Sequence, residues 1–453
     1  MAFDLLIKGG TVWLPEGARE VDVAVLEGRI AAVQTPGSLS AATVLEAHGL
    51  HVLPGVIDTQ VHFREPGMEY KENLFTGSQA AVLGGVTAVC EMPNTRPTTS
   101  SAETLTDKLA RARGRMACDY AFFLGATAEN VNHLDMWEQM AGCAGVKVFM
   151  GSSTGTLLVE DDTTLTRVLS TGYRRIAVHC EDETRLRERR VLVKDGGAPA
   201  LHYLWRDSET ALIATKRILH LAKYIQRRVH ILHVSTSEEI SILRRYRDIA
   251  TVEVTPQHLT FAAPMCYESL GTLAQINPPI RAPHHREALW RAVNEGVVDC
   301  LGSDHAPHTL EEKAQSYPSS PSGMPGVQTL VPVMLTHVAV GRLSLSRFVE
   351  LTSAGPARLY AMAGKGYIAI GFDADFTVVD LKLHRTIDSG WLASRCGWSP
   401  FEGMKATGWP IATVIRGHIA MREGCVSAIP SGMPLRFQDY WSAAHLHSTE
   451  KES

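Results

Sequence analysis

Between residues 54 and 365, short apolar runs alternate repeatedly with segments of helical period. No other feature of the sequence restricts the fold so tightly. The runs include Thr87–Glu91, Tyr120–Leu124, Gly145–Met150, Arg175–His179, His230–His233, Thr251–Val254 and Val297–Leu301. Between them, Ser208–Ile225 and Ser237–Arg247 carry apolar residues at helical spacing. A strand that is apolar on both faces suits a buried parallel sheet, and parallel neighbours need a crossover, usually a helix. The alternation therefore predicts an α/β fold. Polar and histidine residues recur at the strand ends, which favours a closed (β/α)8 TIM-like barrel over an open sheet.

The two ends of the chain read differently. Residues 1–53 break into short β-type pieces: Asp4–Ile7, Val21–Leu26, Ile30–Val33, Val44–Glu46 and His51–Leu53. Residues 366–430 have the same texture, with Ala374–Asp380, Ala412–Ile415 and His418–Met421. A piece this short cannot hold a large core alone. The N- and C-terminal segments are expected to join as one small β-sandwich domain beside the barrel of residues 54–365. Residues 431–453 form a C-terminal tail, and its last part, Ser442–Ser453, is polar and expected to fray.

Composition narrows the function classes. The 453 residues suffice for one large barrel and an accessory unit. A net charge of −4 gives no electrostatic reason to expect nucleic acid. No apolar run approaches the roughly 20 residues of a membrane span. Met1–Gly10 reads as a strand with a Gly-Gly turn and lacks the pattern of a signal peptide. The eight cysteines are scattered and none forms C-x-x-C, which argues against a zinc ribbon and suits a reducing, cytoplasmic setting. Cys180, beside His179, reads as strand packing rather than as a nucleophile.

Chemistry concentrates at the strand ends. Asp304 follows the apolar run Val297–Leu301, the usual place for a catalytic carboxylate in such a barrel. His62, His179 and His233 end three other runs. A single histidine there is most often a hydrogen-bonded structural residue. Three of them with Asp304 point to a metal, Zn²⁺ or another borderline divalent ion. Lys147, inside Gly145–Met150, would point into the barrel, where a free ammonium is costly and would repel a metal. Two readings stand. A lysine of depressed pKa could react with CO2 and bridge two metals as a carbamate; a lysine paired with a carboxylate is the reading that spacing alone favours. Asp161-Asp162 reads as a helix start, and Asp182, His202 and His258 as supporting residues. Thr309–Gly326 lacks apolar period and lies next to Asp304; it reads as an active-site loop or as a plain surface excursion.

These motifs carry a resemblance over nearly the whole chain. His62–Gly67, Glu91–Thr95, Ile276–Arg281 and Ser303–His308 resemble those of the dihydroorotases, in the amidohydrolase superfamily. Gly145–Phe149, His179–Asp182 and His233–Thr236 are similar to the superfamily more broadly. The resemblance implies a carboxylated Lys147 bridging two zinc ions, His179 and His233 on the second, and His62 with Asp304 on the first. It also implies that Arg64, Asn94 and His308 hold a substrate carboxylate and that Asn277 reaches the ring. A guanidinium suits that carboxylate. The chain departs from the family at Gln60, where a His-x-His pair is usual. Glutamine is a weak, neutral donor. Three outcomes follow: Gln60 coordinates weakly, one metal sits at Lys147, His179 and His233, or the site is degraded.

The resemblance favours a working enzyme with one or two Zn²⁺ per subunit. The implied reaction is reversible, metal-assisted hydrolysis of (S)-dihydroorotate to N-carbamoyl-L-aspartate in de novo pyrimidine biosynthesis. Asp304 would serve as base and then acid. An allantoinase or other cyclic amidohydrolase is the nearer rival: such enzymes share the barrel and the metal lysine, but their substrates lack the ring carboxylate and would not require the clamp of Arg64, Asn94 and His308. An inactive homologue serving as a structural partner of aspartate transcarbamoylase is the other. The expected partner is a small-molecule substrate, with no nucleic acid and no membrane, in a homodimer.

Overall fold

The computed structural model describes residues 3–152 and 157–438. The expectation for Ser442–Ser453 lies outside the described residues. The N-terminal part supplies β1 (Phe3–Leu14), β2 (Gly17–Leu26), β3 (Arg29–Gln34), β4 (Ala41–Glu46) and β5 (His51–Pro54). Eight strands follow: β6 (Val56–Val61), β7 (Val86–Glu91), β8 (Asp119–Gly125), β9 (Cys143–Phe149), β10 (Ile176–His179), β11 (Val229–Ile231), β12 (Ala250–Val254) and β13 (Cys300–Leu301). They pair in parallel in chain order. The ring closes where the His62 N–H donates to the His305 carbonyl at 2.7 Å. The fold is the expected (β/α)8 barrel.

Every residue of β6 to β10 is buried, which is why these strands read as unbroken apolar runs rather than as alternating ones. Ile57, Ala88, Phe123, Ala177 and Leu232 fill the lumen and are themselves buried. Two strand ends differ from the sequence reading. Val297 and Val298 are apolar and buried, yet their N–H groups donate to the Ala292 carbonyl and close the helix Pro283–Asn294. Only Cys300 and Leu301 then pair with β12. His233 lies two residues beyond β11 and turns into the left-handed region at φ +37°.

The C-terminal part adds β14 (Phe376–Thr386), β15 (Lys405–Ile415), β16 (His418–Arg422) and β17 (Cys425–Val426). With β1 to β5 they make a single nine-stranded, mostly antiparallel sheet. The join is β5 against β14, where Val52 faces Val378. Leu5, Ile7, Val23, Val52, Phe376 and Val414 form its core. A buried lysine ties this sheet to the barrel. Lys365 Nζ lies 2.7 Å from Asp119 at the start of β8, 3.2 Å from Asp373, and against Asp375. Burial opposes its charge, but Asp375, Asp119 and Asp373 hold the ammonium above the ordinary lysine range. Residues 431–438 return to the barrel, where Tyr120 donates to Met433 and Leu435 donates to Tyr120. Among the described residues, no helix is long and apolar enough to cross a membrane.

Candidate active site

The C-terminal ends of the barrel strands converge on a small polar cavity. Gln60, His62, Lys147, Phe149, His179, His233, Asn277 and Asp304 line it, and Ser322 and Gly323 roof it. It holds about 20 Å³ of room for water, enough for about one molecule. All six residues expected to meet a metal or to catalyse, Gln60 doubtfully among them, are thus collected with Asn277 around one space.

Strand geometry explains the collection. Residues two apart on a strand share a face, so Lys147 and Phe149 both point inward from β9. The Lys147 Nζ lies 4.4 Å from the Phe149 ring centre and has no hydrogen-bond partner. Burial lowers its pKa from 10.5 to about 7, against the opposing pull of Asp304. Two further buried atoms at this cavity lack partners: His233 Nδ1 and Gln60 Oε1. Buried polar groups are rarely left so.

On one side, Asp304 Oδ1 accepts from Gln60 Nε2 at 3.0 Å and lies 3.2 Å from His62 Nε2. Burial raises the Asp304 carboxyl to about 7, with Lys147 pulling it down. The other ring nitrogen of His62, Nδ1, lies 2.6 Å from Asn94 Oδ1. That bond needs an Nδ1 proton and leaves the Nε2 lone pair towards the cavity. On the other side, His179 Nδ1 and His233 Nε2 are 3.0 Å apart. The Glu181 carboxylate lies 2.9 Å from His179 Nε2 and is salt-bridged to Arg206. Burial works against the Glu181 charge, yet Arg206 and His179 hold it far below the usual carboxylate range. A carboxylate behind an imidazole fixes its tautomer and strengthens it as a ligand.

Arg64, Asn94 and His308 stand just behind this lining. Arg64 Nε donates to the Pro307 carbonyl at 3.1 Å, and its Nη2 lies 3.4 Å from His308 Nε2. Burial lowers His308 to about 3, so its ring is neutral. The Lys71 ammonium, 2.9 Å from Glu312, donates to His308 Nδ1 at 3.0 Å. His308 Nε2–H then donates to the Ser322 carbonyl at 3.1 Å. Arg64, His233 and Asp304 all sit at positive φ, +65°, +37° and +44°. Such backbone costs about 1–3 kcal/mol per residue and gathers at functional sites.

The segment after Asp304 closes the cavity. Thr309 caps a short helix, Leu310–Lys313. The chain then turns back so that Lys313 Nζ donates to the carbonyls of Gln275, Pro321 and Gly323 at 3.3, 2.9 and 3.2 Å. A side chain at Gly323 would put its Cβ 2.4 Å from the Ala306 carbonyl and 2.9 Å from the His308 ring. Only glycine fits that approach.

The supporting residues fall where the sequence put them. Asp161 and Asp182 cap helices. His202 Nε2 meets Asn277 Oδ1 at 3.0 Å, and His258 Nε2 meets the Pro278 carbonyl at 3.0 Å. Cys180 is buried, and burial drives its thiol far above the ordinary range. Sequence reasoning missed Lys71, Lys313 and the role of Glu181. Glu181 left a signal, since it follows His179 at the spacing that shares a face. Lys71 and Lys313 left none, because their partners are distant in sequence.

The donor set fits a divalent ion: three imidazoles, a carboxylate, an amide oxygen without a partner and an amine that is half neutral near pH 7.

Known proteins resemble this chain over most of its length. The "Amidohydrolase family" pattern matches residues 51–420. A dihydroorotase of Methanosarcina acetivorans is 34% identical over 442 residues, covering 94% of each chain. A dihydroorotase of Methanothermobacter thermautotrophicus is 34% identical over 408 residues, 89% of this chain and 91% of the relative. Among solved structures, the L-hydantoinase (dihydropyrimidinase) of Arthrobacter aurescens superposes with a TM-score of 0.91 at 28% identity, covering 96% of this chain and 99% of that one.

Proposed function

The chain belongs to the amidohydrolase family, as a metal-dependent cyclic amidohydrolase, and we propose that its substrate is dihydroorotate. The reaction is reversible hydrolysis to N-carbamoyl-L-aspartate. The observation that carries this choice is the buried group Arg64, Lys71 and His308 beside the cavity. A substrate with a ring carboxylate needs a guanidinium such as Arg64 with an imidazole N–H beside it; a hydantoin does not. The dihydroorotase relatives support the same reading.

Lys147, His179, His233, His62 and Asp304 would hold one or two Zn²⁺, with Gln60 offering its unpartnered Oε1. We propose that the neutral Lys147 amine adds CO2, forming an N–C bond and releasing one proton, so that an anion replaces the amine. A bound divalent ion supplies Lewis acidity to the ring carbonyl and lowers the pKa of the attacking water. Asp304, raised to about 7, takes a proton from that water and returns it to the leaving ring nitrogen. Arg64 and His308 orient the ring through its carboxylate, and Asn277 reaches the ring. The Ser322 carbonyl now occupies the His308 donor, and the cavity is far below the roughly 300–1,000 Å³ of an open ligand pocket. Substrate entry therefore requires Ser322 and Gly323 to lift, handing His308 Nε2–H to the carboxylate.

The test is hydrolysis of (S)-dihydroorotate beside hydantoin and a dihydropyrimidine, with metal content measured on the same sample. Dihydroorotate should be preferred, and Arg64→Ala should lose that preference. Faster turnover of hydantoin by the wild type would instead support the hydantoinase-type reading that the structural likeness favours.

A further inference from the structure

We infer that the barrel lumen holds a second, fully buried cation site, built by His230, Glu253 and Cys300, for Zn²⁺ or an ion of its class. The three residues come from neighbouring strands β11, β12 and β13, and Glu253 and Cys300 face each other in the pairing. All three are 0% exposed. None of them lines the cavity at the barrel mouth.

The distances are those of a metal-sized gap. His230 Nε2 lies 3.5 Å from Glu253 Oε2 and 3.6 Å from Cys300 Sγ. Cys300 Sγ lies 3.8 Å from Glu253 Oε2. Zinc bonds of about 2.0 Å to nitrogen and oxygen and 2.3 Å to sulfur, at tetrahedral angles, set ligand atoms about 3.3–3.6 Å apart. The observed triangle needs only a slight contraction. The Thr59 hydroxyl donates to Glu253 Oε2 at 2.5 Å and lies 3.7 Å from Cys300 Sγ, so it steadies the carboxylate from outside the triangle.

Protons alone satisfy this cluster poorly. The Thr251 hydroxyl points to the Val229 carbonyl at 3.4 Å and so receives His230 Nδ1–H at 2.8 Å. That bond holds the imidazole by its outer nitrogen, as outer partners do for metal-bound histidines, and turns the Nε2 lone pair towards Glu253 and Cys300. Among the described residues, no lysine or arginine forms a salt bridge with Glu253. Its Oε1 has no hydrogen-bond partner, and neither has the Tyr360 hydroxyl, whose ring packs edge-on against His230. The buried carboxylate needs a positive charge beside it. A cation at the centre of the triangle supplies it, and the Cys300 thiol loses its proton to solvent as the S–metal bond forms. Burial on all sides means that the ion enters as the chain folds. The competing arrangement is the same three side chains in contact with one another, without metal.

Cobalt distinguishes the two. The intact protein would be produced in cobalt-supplemented, zinc-depleted medium, so that the ion is present during folding. The site at the mouth offers no sulfur ligand, so a sulfur-to-cobalt charge-transfer band reports the lumen site alone. We expect that band in the wild type, its persistence in His233→Asn, and its loss in Cys300→Ser together with a single equivalent of metal. X-ray absorption at the cobalt edge of the wild type should show sulfur at about 2.3 Å, which decides the matter even where Cys300→Ser does not fold. Cobalt-containing wild type with neither band nor sulfur scatterer overturns the inference. So does a band that survives Cys300→Ser.

Discussion

Lys147 is buried with no acceptor, and replacing it with methionine should reveal what that costs. Its folded pKa is about 7 against 10.5 for a free lysine. The unfolded chain therefore binds more protons between those values, and stability rises with pH across that window. At about 1.4 kcal/mol per unit, the folded state of metal-free, CO2-free protein carries a penalty of roughly 5 kcal/mol at and below pH 7. The penalty fades towards pH 10.5. Lys147→Met should thus be more stable than the wild type by several kcal/mol at pH 7, and the two should converge by about pH 10. The assay is urea unfolding of chelator-treated, degassed samples at a series of pH values. Lys313, also lowered to about 7 by burial, is present in both proteins, so the readout is their difference. Adding bicarbonate and Zn²⁺ should raise the wild type alone. Parallel pH curves for the two proteins would refute a buried, unpaired amine at this position.

Other substitutions test other parts. Asp304→Asn should lower kcat by about 10²–10⁴-fold while leaving the circular dichroism spectrum and melting temperature near wild type. Gln60→His places an imidazole where an amide oxygen now lacks a partner; metal retained after dialysis against a chelator should increase, and unchanged retention would count against Gln60 facing the ion. Lys313→Met leaves three carbonyls without the donor they share, so limited proteolysis between residues 314 and 322 should accelerate and KM should rise more than kcat falls. Lys365→Met removes the ammonium that three aspartates share at the seam between barrel and sheet. Asp119 and Asp373 keep arginine partners, Asp375 keeps none among the described residues, and the loss should cost about 3–5 kcal/mol, read from denaturant midpoints.

The barrel was legible because strands buried on both faces leave unbroken apolar runs, as in β8 and β9. His62 and His179 were legible because each stands at the end of a barrel strand. His233 and Asp304 were found for an incomplete reason, since each sits past its strand in the left-handed region that no apolar pattern marks. Val297 and Val298 show the limit of the same rule. They are apolar because they are buried, but their N–H groups close a helix instead of joining the ring. The lid was visible only as a stretch without periodicity. What holds it down is Lys313, whose acceptors lie 38 residues before it and 8 and 10 after it; no local spacing encodes that. Glu181 had a local signal and Lys71 had none, which matches their partners: one adjacent on a strand, the other across the barrel mouth.

The pairing of β5 with β14 sets an order of events during synthesis. Val52 meets Val378, so the N-terminal half of the small sheet leaves the ribosome with one edge open. At about 5–20 residues per second, the partner strand follows after roughly 20–60 seconds. Throughout that interval the nascent chain displays the unpaired hydrogen-bonding groups that recruit foreign strands. Only the barrel, made in the meantime, can carry β14 back to the waiting edge. Chains that stop short of residue 376 should therefore collect as aggregates even when their barrels are whole.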